Sequence, residues 1–99
     1  MTPIYSSMEL VDNRTENRFE LPIPKEEGHA FVRYRIHDNH IDLDYIEVSR
    51  NLRGQGIASI LAKKVFTYVA SQNMDYTIYC SFLKTWKNMH DMRQEQKKN

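Results

Sequence analysis

The chain has 99 residues and a formal net charge of +1, which suits one domain over residues 1–99 that buries roughly 60–70% of its unfolded surface. This near-neutral charge gives no reason to expect nucleic acid or a membrane surface as a partner, and no stretch approaches the roughly 20 apolar residues of a membrane span. The single cysteine excludes an intrachain disulfide, and the first residues lack the pattern of a signal peptide, so we expect a cytoplasmic monomer.

Short alternating runs predict two hairpins in the first half of the chain. SMELVDN and NRFELPI form the first hairpin across the turn-forming NRTEN. The second hairpin flanks the turn HDNH. Its alternating residues are Phe31, Tyr34 and Ile36 before the turn, and Ile41, Leu43 and Tyr45, interleaved with Asp42 and Asp44, after it.

The second half changes to a helical period. Apolar residues from Ile57 to about Gln72 predict an amphipathic helix of about four turns, which Asn73 would end in a left-handed conformation. DYTIYCSFL is then predicted to be a buried strand, and KTWKNMHDMRQEQKK a last helix with QEQKKN as a frayed end. Because a helix joins the fourth and fifth strands, these strands are expected to lie parallel in one sheet.

Two of the three glycines, Gly54 and Gly56, stand directly before the long helix. The first N–H groups of a helix lack partners within it, and the helix dipole adds roughly half a positive charge. A bare backbone lets an anion reach these amides, and Arg53 would add a charge-assisted hydrogen bond. A tight turn that binds nothing explains the glycines equally well at this point. The loop matches neither a P-loop nor a dinucleotide fingerprint.

The pattern Arg53-x-x-Gly56-x-Ala58 resembles the acyl-CoA pyrophosphate loop of the GNAT acetyltransferase superfamily. The likeness extends over YIEVSRNLRGQGIASILAKKVFTYV, and YCSFL is similar to a small GNAT-like family of about this length that lacks two inserted helices. With NRFEL and VRYR it covers most of residues 8–86. The resemblance implies an α+β fold with a mixed sheet of about five strands, mostly antiparallel. A glycine-loop helix would join strands 4 and 5, and a second helix would end the chain.

The resemblance also implies an N-acetyltransferase that moves the acetyl group of acetyl-CoA, or of another acyl-CoA, to an unidentified amine. Two segments would hold the acyl-CoA: the strand residues Ile46, Glu47 and Val48, and the loop and helix residues Arg53, Gly54, Gln55, Gly56, Ile57, Ala58 and Ser59. No metal is expected, since the four scattered histidines show no ligand spacing.

Glu47 and Cys80 are the candidate catalytic residues. Glu47 would accept the amine proton through water, although its alternation with apolar neighbours is also typical of a solvent-facing residue. Cys80 would carry the acyl group as a thioester, or be a small packed hydrophobe. Relatives often have histidine at position 45, where this chain has Tyr45.

Three functional hypotheses follow from the sequence. The first is an acyl-CoA-dependent N-acetyltransferase, and the second is a module that binds or senses acetyl-CoA without turnover. The third is an interaction domain whose glycine turn binds no ligand.

Overall fold

The computed structural model describes residues 4–96, which form one mixed sheet and two α-helices. The elements are β1 (Val11–Asn13), β2 (Arg18–Glu20), β3 (Ala30–His37), β4 (His40–Val48), α1 (Ile57–Ser71), β5 (Asp75–Ile78) and α2 (Ser81–Gln96). Strand order in the sheet follows the chain, with β4 and β5 parallel and the other neighbours antiparallel. The expected α+β fold and the parallel crossover are confirmed.

The core lies between one face of the sheet and the two helices. Burial removes each large apolar side chain from water and stabilises the fold by roughly 1.5–3 kcal/mol per residue. The largest fully buried side chains are Phe19, Val32, Tyr34, Ile41, Leu43, Ile57, Leu61, Val65, Val69 and Leu83. Tyr34 donates its hydroxyl to Asp12, and burial together with this hydrogen bond raises the pKa of the Tyr34 phenol.

A β-bulge halfway along β4 reverses which residues of the strand point to each face of the sheet. Tyr34 pairs with Leu43 whereas Arg33 pairs with Tyr45, so Asp44 is the extra residue of the bulge. An unbroken alternation would place Tyr45 on the core side with Leu43. Tyr45 instead lies on the opposite face of the sheet, and its side chain is 44% exposed.

The face of the sheet that turns away from the helices is here called the open face, and no helix of residues 4–96 covers it. Its residues come from β2 to β5 and are mostly charged or aromatic. They are Arg18, Glu20, Phe31, Arg33, Arg35, His37, His40, Asp42, Asp44, Tyr45, Glu47, Thr77 and Tyr79.

Two boundaries differ from the sequence expectation. The predicted strand DYTIYCSFL ends at Ile78, and α2 begins at Ser81 because the Cys80 carbonyl accepts the first helical hydrogen bond from Lys84 N (3.0 Å). Of the segment QEQKKN, residues 94–96 belong to the end of α2, and residues 97–99 lie outside the described part.

The predictions for α1 are confirmed. It covers Ile57–Ser71, and Asn73 has φ +54°, the left-handed conformation expected after the helix. No helix within residues 4–96 combines the length and apolar character needed to cross a membrane.

Candidate functional site

The two parallel strands separate at the middle of β4. Tyr79 N donates to Leu43 O (2.9 Å), and β5 has already ended at Ile78, whereas β4 continues to Val48. The second half of β4 therefore has β3 on one side only. We call the space on its other side the β4–β5 gap. Its walls are Tyr45 to Val48 on β4, and Cys80 with the start of α2.

The backbone of β4 offers hydrogen-bonding groups to this gap. Ser49 N donates to His29 O (2.9 Å) on the β3 side, and the alternation of an antiparallel ladder directs Glu47 to β3 as well. The N–H and C=O groups of Ile46 and Val48 then point into the β4–β5 gap. Arg53 Nε donates to one of them, the Val48 carbonyl, at 3.2 Å.

The glycine loop lies at the end of the gap. Gly54 (φ +84°) and Gly56 (φ +76°) both adopt conformations that cost other L-residues about 1–2 kcal/mol. Gly56 is the N-cap of α1, and no side chain of residues 4–96 caps the helix there. A Cβ at either glycine would meet no heavy atom of residues 4–96 within 4 Å. The first turn of α1 is therefore open to an anion.

The start of β3 fixes the position of this loop. His29 N donates to Ser49 Oγ (2.6 Å), and Asn51 Nδ2 donates to the carbonyl of Glu27 (2.7 Å). Gly28 allows the close contact, because a Cβ there would lie 2.8 Å from Ser49 Oγ and 3.0 Å from Leu52 Cδ1. The third glycine thus lets β3 support the loop that the other two shape.

A cleft of about 260 Å³ lies at the glycine loop. It is lined by Val48, Leu52, Arg53, Gly54, Gly56, Ile57, Ala58, Ser59 and Phe82. A second cavity of about 310 Å³ shares Ser59 and Phe82 with it and continues along α2 to Trp86 and Arg93. The two cavities therefore lie next to each other, on either side of Ser59 and Phe82.

A larger cavity lies elsewhere. It has about 660 Å³ and lies beside the exposed side of α1, lined by residues such as Leu10, Lys64 and Tyr68. It contains neither a helix N-terminus nor the unpaired edge of β4, so we place the functional site in the smaller cleft, where these groups meet.

Glu47 lies on the open face beside the gap and is paired with a histidine. Its Oε2 atom is 2.6 Å from His29 Nε2, and both side chains are about half exposed. Phe31 lies opposite Glu47 in the register, between the His29 ring (5.5 Å) and the Tyr45 ring (6.2 Å). The pair offers an oriented carboxylate and imidazole next to Ile46.

Cys80 follows β5 at the opposite wall of the gap. It is half-buried against the core and its carbonyl accepts from Lys84 N at the start of α2. The position suits a thiol that faces the gap and equally a packed side chain.

The structure brings most of the predicted ligand residues to one cleft. Val48, Arg53, Gly54, Gly56, Ile57, Ala58 and Ser59 line it. Ile46, Glu47, Gln55 and Cys80 lie outside its lining, with Ile46, Glu47 and Cys80 along the gap.

Three residues of the site were not predicted. Leu52 and Phe82 line the cleft, and His29 pairs with Glu47. The β3–β4 register pairs Phe31 with Glu47, which puts His29 on the same face two residues earlier. Recognising this from the sequence would have required the register of the hairpin.

A family model described as GCN5-related N-acetyl-transferase matches residues 18–96. The match begins at β2 and includes the glycine loop, both helices and the β4–β5 gap. No curated protein matches the chain.

Proposed function

The chain belongs to the GCN5-related N-acetyltransferase family, and from that premise we propose that it binds acetyl-CoA in the β4–β5 gap and transfers the acetyl group to an amine. The observation that carries the proposal is the separation of β4 from β5 after Leu43, which opens a gap along β4 that ends at the glycine loop. The free backbone edge of β4 can form hydrogen bonds to the pantetheine arm of acetyl-CoA. The electropositive start of α1, at the end of the gap, suits the diphosphate that follows this arm.

The glycine loop would hold the pyrophosphate. The N–H groups at the start of α1 would donate to its oxygens, and the exposed guanidinium of Arg53 would add a charge-assisted contact. The left-handed Gly54 and Gly56 keep side chains away from these oxygens.

The free edge of β4 would hold the thioester arm. Backbone groups of Val48 would pair with the pantetheine, and the Ile46 N–H would donate to the thioester carbonyl oxygen. That donor becomes more important as the oxygen gains negative charge in the transition state. Holding the amine and the thioester carbon about 3–3.5 Å apart would supply much of the rate by positioning alone.

The reaction is a direct attack by the amine nitrogen on the thioester carbon. The nitrogen–carbon bond forms, the carbon–sulfur bond breaks, and the electron pair leaves with the CoA sulfur. The amine loses one proton, which the Glu47 carboxylate accepts directly or through a water molecule, and the departing sulfur takes up a proton from solvent. The 2.6 Å contact between these side chains holds the carboxylate in one orientation.

Cys80 provides a second route to the same product. Its thiolate would take the acetyl group from CoA, forming a sulfur–carbon bond while the CoA sulfur leaves, and the amine would then displace the thiol. Its place beside the gap favours this route, and its half-burial against the core favours a packing role.

A binding module without turnover is the second candidate function. The open face next to Glu47 carries no helix within residues 4–96 that could enclose an amine. A ligand in the β4–β5 gap would then be held but not consumed.

Incubation of the protein with radiolabelled acetyl-CoA and a panel of amines tests the proposal. The panel comprises polyamines, aminoglycosides, amino acids and lysine-containing peptides. Transfer of label to one class, at a rate above that of the uncatalysed reaction, is the expected result. Saturable binding of acetyl-CoA without transfer to any amine supports the module, and failure to bind acetyl-CoA rejects both functions.

A further inference from the structure

We propose that His37, His40 and Asp42 form a binding site for a divalent transition-metal ion such as Zn²⁺ on the open face of the sheet. One nitrogen from each histidine and one carboxylate oxygen of Asp42 all lie within 4.8 Å of one another. Two imidazoles and one carboxylate are the protein ligands that zinc prefers at sites with an open coordination position.

The distances suit a single ion. His37 Nε2 is 3.0 Å from Asp42 Oδ2, and His40 Nε2 is 3.6 Å from Asp42 Oδ1. Ligand atoms bound to one tetrahedral Zn²⁺ at 2.0–2.1 Å lie about 3.3 Å from each other. Each histidine nitrogen is therefore close to binding separation from one oxygen of Asp42 before an ion enters, and all three donors lie within 4.8 Å of one another. Rotation of the exposed His37 ring would bring the donors to one ion.

The hairpin brings these residues together. His37, the last residue of β3, pairs with His40, the first residue of β4, across a turn in which Asp38 has φ +57°. Their rings stack at 5.1 Å. Asp42 stands two residues after His40 and therefore on the same face. The spacing His-x-x-His-x-Asp brings the three side chains together only if residues 37–40 form a tight hairpin turn. The sequence alone did not predict a metal site because it did not establish how tight that turn is.

Charge at the cluster favours a cation. The Asp42 side chain is 6% exposed, so its negative charge is poorly screened by water. Arg35 Nη2 lies 3.5 Å from Asp42 Oδ2, but Arg35 makes its shorter bonds, both 2.8 Å, to Asp44. The guanidinium is thus shared between two carboxylates, and the three side chains together keep one uncompensated negative charge that attracts a cation.

Thr77 completes the surroundings of the site. Its Oγ1 atom is 2.7 Å from His40 Nε2, the nitrogen that faces Asp42. A bound ion would take that nitrogen, and the hydroxyl would then contact the ion or a water molecule on it. The ligands come from β3 and β4 and their neighbour Thr77 from β5, so the ion would hold one end of the sheet together.

The site is independent of acetyl transfer. His40 begins β4 and Val48 ends it, and eight residues of strand span roughly 25 Å. An ion at this end of the sheet lies far from the glycine loop, so metal binding and acetyl-CoA binding succeed or fail separately.

Isothermal titration calorimetry of the metal-free, untagged protein with ZnCl₂ tests the proposal. A polyhistidine tag must be absent because it binds the same ions. We expect saturation at one Zn²⁺ per chain and a melting temperature that rises with zinc concentration. Cobalt(II) added in place of zinc is expected to show the intense visible absorption of a tetrahedral site, which hydrated, octahedral cobalt(II) lacks.

Three variants assign the ion to the cluster. His37→Gln, His40→Gln and Asp42→Asn should each weaken zinc binding at least about tenfold, whereas His90→Gln on α2 should bind as the parent does. The histidine variants keep the buried carboxylate, so they remain informative if Asp42→Asn fails to fold. Absence of saturable binding, or equal affinity in His40→Gln and the parent, would overturn the proposal and leave a hydrogen-bonded cluster without a metal.

Discussion

His29 and Glu47 are 18 residues apart in the chain, yet His29 Nε2 and Glu47 Oε2 lie 2.6 Å apart on the open face of the sheet. The contact exists because β3 and β4 pair with Phe31 opposite Glu47. It joins the carboxylate predicted from the resemblance to an imidazole that no pattern in the sequence had connected with it. A carboxylate fixed by a histidine beside the proposed thioester site is suited to accept a proton.

We expect Glu47→Gln and His29→Gln each to lower kcat for acetyl transfer by about 10²-fold, with little change in the KM for acetyl-CoA. Each substitution keeps side-chain volume and removes the proton acceptor or its partner. Steady-state kinetics on the acceptor found in the amine screen gives both constants. Glu95→Gln, on the exposed end of α2, is the matched control and should leave kcat unchanged. Full activity of both site variants would show that neither side chain takes part in proton transfer, and that the protein acts only by positioning the amine and the thioester.

Gly56→Ala is expected to weaken CoA binding and to destabilise the fold. The left-handed conformation of Gly56 costs an alanine about 1–2 kcal/mol, and the added methyl group would crowd the phosphate. Calorimetric titration with CoA and urea denaturation measure the two effects.

Asn73→Ala separates strain from the effect on the ligand. It also places alanine at positive φ (+54°) but at the opposite end of α1. It should lose a similar amount of stability and bind CoA as tightly as the parent. Equal CoA affinity in Gly56→Ala and Asn73→Ala would show that the pyrophosphate does not contact the glycine loop.

Gly28→Ala is expected to destabilise the protein more than Gly54→Ala. Both glycines have positive φ, but only the Gly28 Cβ would collide with Ser49 and Leu52. We expect a loss of about 2–4 kcal/mol for Gly28→Ala and about 1–2 kcal/mol for Gly54→Ala, from chemical denaturation. An equal loss in the two variants would mean that the contact between β3 and the loop relaxes without cost.

Tyr34 is expected to ionise only when the protein unfolds at alkaline pH. Burial, then the hydrogen bond to Asp12, raises the folded-state pKa of Tyr34 above its ordinary value of 10.0. Stabilisation by the neutral phenol is therefore fully present below pH 10 and is lost as pH rises toward the folded-state pKa. A spectrophotometric titration at the phenolate band should show one of the six tyrosines ionising together with loss of near-ultraviolet circular dichroism.

Tyr34→Phe is the control for that titration. It should remove the late step and cost about 1 kcal/mol of stability, the net contribution of the bond to Asp12. Ionisation of all six tyrosines in the folded protein would contradict the expectation.

Cys80→Ala distinguishes direct transfer from a relay through the thiol. With direct attack by the amine, the variant should keep kcat within about twofold of the parent, whereas loss of a covalent relay typically costs orders of magnitude. Mass spectrometry of the parent after mixing with acetyl-CoA adds a second readout. An acetylated protein that returns to its original mass when amine is added would establish the relay.

The sequence predicted those parts of the fold that depend on local periodicity and helix-terminating residues. Ile57, Leu61 and Val65 follow the helical period, and α1 forms where they predict it. Asn73 likewise takes its left-handed conformation because the helix needs such a residue after its end. The glycine loop was found in the same way, from two residues that share a rare backbone requirement.

The missed features depend on register. The extra residue Asp44 leaves no trace in the alternation of β4, although it moves Tyr45 to the open face. Pairing of His29 with Glu47, and of His37 and His40 with Asp42, likewise depends on which residues of β3 and β4 stand opposite each other. The start of α2 was misplaced because Cys80 to Leu83 suit a strand by composition, while Leu83 is buried by the helix.

A nuclear magnetic resonance titration tests whether the amides at the start of α1 bind a nucleotide diphosphate. The ¹⁵N-labelled protein is titrated with CoA and, in parallel, with pantetheine, which shares the thiol arm and lacks the diphosphate. We predict large shifts of the Gly54, Gly56 and Ile57 amide signals with CoA and small ones with pantetheine. Unmoved loop signals at saturating CoA, or the largest shifts at residues remote from this loop, would show that the diphosphate does not bind at the start of α1.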